Sequence, residues 1–134
     1  MTVDIADSAD SAASLNGFRI SHTADLGQLG EAIDLDPGIV AYPVEWSSPK
    51  DGGRPLPSVA FVKFAPGATY LEPDVHEDSP EIVIVLSGLF KLGVSDGDAD
   101  VYGPHTRIEG RRGSSHTPSS PTGCLLYVTF PERT

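Results

Sequence analysis

No stretch of this chain holds a helical period for long; glycine and proline cut it instead into short apolar runs. Fourteen Gly and twelve Pro are spread over 134 residues, and most fall between segments that alternate or run apolar for four to eight positions. Phe18 and Ile20 alternate with Arg19 and Ser21, as in a short edge strand. Residues 33–37 read as a loop and 38–46 as a strand, which Pro43 assigns to a sheet edge or a bulge. Residues 47–57 pack three prolines and two glycines into a surface loop. Further strands are expected over 58–64, 82–86, 89–94, 100–102, 105–109, 114–117 and 124–130, with turns at Pro66-Gly67, Asp96-Gly97-Asp98, Gly103-Pro104, 110–113 and 118–123. Short strands at regular spacing predict an all-β sandwich or barrel. The run Ile82 to Leu86 is apolar on both faces, so one face is expected to line the interior and the other to meet a second sheet or subunit. A homodimer is the expected assembly.

Length and charge narrow the function. The chain fits one domain, read as residues 17–134, behind a flexible Asp-, Ser- and Ala-rich N-terminal tail over 1–16. Nineteen Asp and Glu against nine Lys and Arg give a formal charge of −10. That balance argues against nucleic acid and against an anionic membrane as partners. A small molecule is the expected partner. Cys124 is the single cysteine, so no internal disulfide forms, and no signal peptide or membrane span is visible. A cytoplasmic protein is expected.

One stretch carries chemistry. Asp74 and His76 are two apart, so on a strand they share a face. Glu81 opens the following apolar strand, where an unpaired carboxylate is costly to bury. Imidazole and carboxylate together suit Fe, Mn, Ni or Zn. His105, Arg107 and Glu109 alternate along another strand and either enter the pocket as binding or proton-transfer groups or form an exposed polar face. Tyr70, Tyr102 and Tyr127 read as core or rim residues, Glu77 and Asp78 as a solvated loop, His22 as surface and Cys124 as a small buried residue rather than a nucleophile.

The pattern Asp74-x-His76-x4-Glu81-x6-Gly88 resembles the first cupin motif, and Gly113-x2-His116 with Ser120 resembles the second. The run Gly113-Ser114-Ser115-His116-Thr117-Pro118-Ser119-Ser120, closing at Gly123-Cys124, is similar to the cupin domains of ChrR-type anti-sigma factors and of diketone- and aryl-cleaving dioxygenases. The resemblance implies a jelly-roll β-barrel holding one divalent metal, Fe(II) favoured and Mn, Ni or Zn open, with Asp74, His76, Glu81 and His116 as ligands. It implies oxidative C–C cleavage of a carbonyl or enol substrate first. A non-oxidative isomerase, cyclase, dehydratase or decarboxylase with Asp74, Glu109 or His105 as acid or base stands beside it, as does a non-catalytic binding protein. The chain departs from the family pattern at four places. Asp74 stands where the first His is usual, Glu109 where an Arg is, Arg111 and Arg112 where prolines are, and His105 where a Gly is.

Overall fold

A computed structural model describes residues 13–48 and 52–133. Among the described residues twelve strands follow one another: β1 (Ala13–Leu15), β2 (Phe18–Ile20), β3 (Ile33–Asp36), β4 (Ile39–Trp46), β5 (Pro57–Phe64), β6 (Asp74–Val75), β7 (Glu81–Gly88), β8 (Phe90–Lys91), β9 (Val101–Tyr102), β10 (Arg107–Gly110), β11 (Ser115–His116) and β12 (Cys124–Thr129). Thr23–Gln28 and Asp98–Asp100 are short 3-10 turns. No helix among the described residues is long and apolar enough to cross a membrane.

Six strands form one antiparallel sheet in the order β10-β7-β12-β5-β4-β3. The opposite wall is built from two short ladders, β6 with β11 and β8 with β9. Bridges from Ser119 to both Thr69 and Lys91 join them. Alternate residues of the large sheet (Ile39, Ala41, Val62, Phe64, Val83, Val85, Leu126 and Val128) point inward, where Ala68 and Phe90 of the small wall meet them. Phe64 and Phe90 touch edge to face with centroids 5.9 Å apart. The other face carries Ile82, Ile84, Phe61 and Tyr127, half-buried, with the last two rings 5.2 Å apart.

The structure revises several boundaries. Residues 33–36, expected as loop, form β3, the outermost strand of the large sheet. Asp34 and Asp36 hid its alternation, and an edge strand tolerates such residues because one side faces water. Pro43 does mark a bulge: it faces Ala60 while Glu45 faces Val59, leaving Val44 extra. Its strand is nonetheless internal, since β3 pairs only with the Ile39-to-Ala41 portion of β4 and leaves Pro43 without a ladder bond to miss. Residues 13–15, expected as the end of a tail, pair with β2 in a hairpin turned by Asn16 and Gly17, both at positive φ. The rest of the expected tail, 1–12, lies outside the described residues.

Gly88 fixes where β7 ends. It sits at φ +78°, and a Cβ there would overlap the Gly123 carbonyl and lie 2.7 Å from the Cys124 Cα. Only glycine lets β7 pass this close to the start of β12. Gly88→Ala is expected to cost about 3 kcal/mol or more of unfolding free energy, by strain plus steric overlap. Gly67→Ala, at the same φ but in open space, is expected to cost only about 1–2 kcal/mol. Chemical denaturation of the two variants measures the difference, and equal losses would contradict the packing role of Gly88.

Candidate metal centre

The small wall positions three of the four candidate ligands, and the large sheet supplies the fourth. Antiparallel pairing of β6 and β11 sets His116 directly opposite Asp74, so both side chains leave the same face. His76 follows two residues after Asp74 and joins them. Its backbone is tied down on both sides, its N–H donating to the Ser114 carbonyl at 2.9 Å and its carbonyl accepting from the Gly113 N–H at 2.6 Å. Glu81, the first residue of β7, lies on the inward face with Val83 and Val85.

One donor atom from each of the four lies within 4.8 Å of the others. His76 Nε2 is 3.1 Å from Glu81 Oε1 and 3.1 Å from His116 Nε2. Asp74 Oδ2 is 3.6 Å from His116 Nε2 and 3.9 Å from His76 Nε2. Ligands about 2.0–2.2 Å from a divalent metal stand roughly 3–4.4 Å from one another, so these separations fit a shared cation. His76, Glu81 and His116 are buried, whereas the Asp74 side chain keeps 32 % of its surface exposed.

Proton counting argues the same way. His116 Nδ1 lies 2.9 Å from the Leu92 carbonyl oxygen, which can only accept, so Nδ1 carries the hydrogen. A neutral His116 therefore turns a lone pair on Nε2 toward the cluster. Glu81 Oε1 and Asp74 Oδ2 are acceptors as well. With His116 neutral, three acceptors thus surround His76 Nε2, which has one proton at most to give. A cation satisfies the set that hydrogen bonds leave short.

Protonation preferences follow from the same contacts. At His76 the Glu81 hydrogen bond outweighs burial and raises the imidazole pKa. Burial works to raise Asp74, but the His116 hydrogen bond and the nearby His76, His116 and Arg133 charges win, leaving its carboxyl below the usual range. Burial, then the Asp74, Glu81 and Asp36 charges, drive Tyr70 well above an ordinary phenol, which keeps it neutral. Burial also raises the Cys124 thiol, despite hydrogen bonds from Ser120 and the Phe64 backbone, consistent with an inert interior residue.

A cavity of about 330 Å³ opens onto the cluster, with His76, Glu81 and His116 at its base and Leu92, Val94 and Ile108 along its walls. A larger surface hollow, about 940 Å³, lies between the Thr23–Gln28 segment and the outer sheet face, near Tyr42 and Lys63. The smaller cavity reaches the converging ligands from one side, and a hollow of about 30 Å³ inside the barrel, lined by Asp74, Glu81 and His116, meets them from another.

Two sequence candidates sit elsewhere. His105 is exposed, at φ +73° in the turn before β10, and lines neither cavity. Glu109 pairs across the ladder with Ile82, and Arg107 with Ile84, both on the outer face of β7. The inward residue of β10 is Ile108, opposite Val83. Glu109 touches the rim of the small cavity, but its carboxylate is 51 % exposed and 3.3 Å from the Arg107 guanidinium. A strand alternates faces at every residue, so the expected polar row was real but belonged to the outside.

No residue pattern announces the support behind His116. Buried Asp100 accepts backbone hydrogen bonds from Gly93, Val94 and Ser95 at 2.9, 3.0 and 3.1 Å. Its own carbonyl accepts the Leu92 N–H at 3.0 Å. Asp100 therefore clamps the loop whose Leu92 carbonyl orients His116. Aspartate in a turn is a general signal; which loop it ties, and to which ligand, is visible only in three dimensions.

The sequence matches no known family profile and no curated protein. The fold, by contrast, is shared. An RmlC-like cupin from Shewanella frigidimarina superposes with a TM-score of 0.55 at 21 % identity, over 82 % of this chain and 90 % of that one. This chain has the cupin fold. A second cupin-fold structure, an acetylacetone dioxygenase from Acinetobacter johnsonii, aligns at TM-score 0.54 and 17 % identity over 69 % of this chain and 59 % of its own. A third, the anti-sigma ChrR in complex with SigE from Rhodobacter sphaeroides, aligns at TM-score 0.52 and 16 % identity, over 75 % and 49 %. In this chain the four residues that resemble the cupin metal motifs are the four that converge.

Asp100 offers a test of the clamp. Burial works to raise its pKa, but the Ser95, Val94 and Gly93 N–H donors and the Lys91 charge outweigh it and hold the carboxyl below its usual range. A carboxylate with a depressed folded-state pKa stabilises the fold above about pH 4, and that contribution fades as the pH falls through the folded value. Asp100→Asn is therefore expected to be less stable than wild type at pH 7, with the gap closing below about pH 4. Thermal melts across that range measure it, and a gap independent of pH would contradict an ionised clamp.

Proposed function

We propose that this cupin is a single-domain enzyme that holds one divalent metal through Asp74, His76, Glu81 and His116 and acts on a small carbonyl- or enol-bearing molecule. The observation that supports this most is the convergence of four donor atoms, three of them from residues that line one cavity. Fe(II) is the favoured ion and oxidative C–C cleavage the favoured reaction. The likeness in fold to an acetylacetone dioxygenase supports that choice. Mn, Ni and Zn suit the same donors.

A metal there would supply a Lewis acid for the substrate oxygen and, as Fe(II), the means of activating dioxygen. The chain's own residues do the rest. Leu92, Val94 and Ile108 cover the apolar part of the substrate and exclude water from the cavity. The Leu92 carbonyl keeps the His116 ring in one orientation. Asp74 stays ionised at neutral pH and is a weak base, which favours ligation over proton abstraction. Glu109, turned to the outer face, is poorly placed to act as acid or base. Both observations favour the oxidative reading over the non-oxidative one. The apolar outer face with Ile82, Ile84, Phe61 and Tyr127 supports a homodimer, and a cytoplasmic site of action fits the lone buried thiol.

Anaerobic loading with Fe(II), followed by oxygen-electrode measurements with a β-diketone panel, tests this reading. Wild-type protein is expected to consume one dioxygen per diketone cleaved, and His116→Ala to lose activity by about 100-fold or more. Diketone-independent oxygen uptake, or full turnover by His116→Ala, would contradict it.

A further inference from the structure

The charges around the cavity point beyond a metal to the kind of substrate it takes. As ligands, the carboxylates of Asp74 and Glu81 would formally balance a divalent ion. Three other arginines are spoken for: Arg107 of β10 by Glu109, Arg112 by Glu132, and Arg133 by Asp78. Arg111 lines the same cavity as His76 and His116, and among the described residues it makes no ion pair. A chain with a formal charge of −10 thus leaves one uncompensated cation at the mouth of an otherwise neutral site.

Deeper in, a second group waits for a partner. Ser114 Oγ is buried without a hydrogen bond among the described residues, which is costly unless a ligand supplies one. It packs over Gly110, where a Cβ would lie 3.0 Å from Ser114 Oγ and 3.5 Å from His76 Cδ2. The hydroxyl and the His76 ring therefore lie close against the Gly110 backbone, an approach that a side chain at 110 would crowd. Arg111 and Ser114 are held in a single turn by the Ser114 N–H, which donates to the Arg111 carbonyl at 2.9 Å.

We propose that the cavity takes a small oxo-monocarboxylate, its carboxylate bound by the Arg111 guanidinium and the Ser114 hydroxyl and its apolar chain lying against Leu92, Val94 and Ile108. The inference rests on the metal reading, which places the substrate's oxo group at the cluster. A volume of about 330 Å³ is at the small end for ligand cavities and suits a molecule of this size. The guanidinium offers carboxylate a charge-assisted, two-point partner that a neutral diketone cannot use. Asp74 and Arg111 are then linked: the carboxylate in the ligand set lowers the charge at the metal, and the arginine restores it where the substrate enters.

Calorimetry on Zn(II)-loaded protein, in which no oxidation occurs, tests the assignment. The probes are short 2-oxo and 3-oxo acids and their methyl esters, with metal content measured on the same samples. At least one acid is expected to bind about tenfold or more tightly than its ester. Arg111→Gln is expected to abolish that preference by weakening the acid about tenfold, leaving ester affinity and metal content unchanged. Ser114→Ala is expected to weaken the acid severalfold. At full metal content, equal binding of acid and ester, no binding of any acid, or an Arg111→Gln variant with wild-type acid affinity would overturn the substrate class alone. Wild-type protein that holds no zinc would overturn the metal reading and this inference together.

Discussion

Two carboxylates and two imidazoles facing one another inside an apolar barrel make the constraint on which this structure turns. With His116 neutral, hydrogen bonds cannot satisfy Asp74, Glu81, His76 and His116 at once. The surrounding architecture nevertheless holds them together at several points. Pairing of β6 with β11 places Asp74 against His116. The Ser114 and Gly113 contacts fix the backbone of His76, and the start of β7 delivers Glu81 from the other sheet. A fold that packs such a cluster against Val83, Phe64 and Phe90 gives a bound cation a ready set of ligands.

Much of this was legible from residue spacing. The two-residue step from Asp74 to His76 needs only that the segment be extended, and Glu81 was marked by the apolar run that follows it. The inward face of the large sheet alternates as a half-buried strand should, so the core could be read in outline. Failures came where one residue of register or one backbone atom decides. Arg107 and Glu109 alternate convincingly, but parity alone cannot say which face of the barrel they occupy; pairing with Ile84 and Ile82 puts them outside. β3 was hidden because an edge strand carries the same acidic residues as a loop. The Leu92 carbonyl behind His116 carries no side-chain signal at all.

Two of the departures from the cupin pattern, Asp74 and Arg111, make sense together when taken as charges rather than as lost motifs. Replacing an imidazole by Asp74 adds a negative charge at the cluster, and Arg111 adds a positive one at the cavity mouth. Asp100, behind the wall, keeps the Leu92 loop and with it the His116 ring in place. The site is held from three directions: the β6/β11 ladder, the first residue of β7, and a loop clamped by a buried carboxylate. Such multiple support is what holds a ligand geometry within the narrow tolerance that metal chemistry requires.

Titration of the purified, metal-free protein with Co(II), followed by its visible d–d absorption, tests the metal centre most directly. Saturation at a single equivalent, with the band lost in both His76→Ala and His116→Ala, is the predicted result. A chain that takes up no Co(II), or one whose spectrum survives both substitutions unchanged, would contradict the centre formed by Asp74, His76, Glu81 and His116.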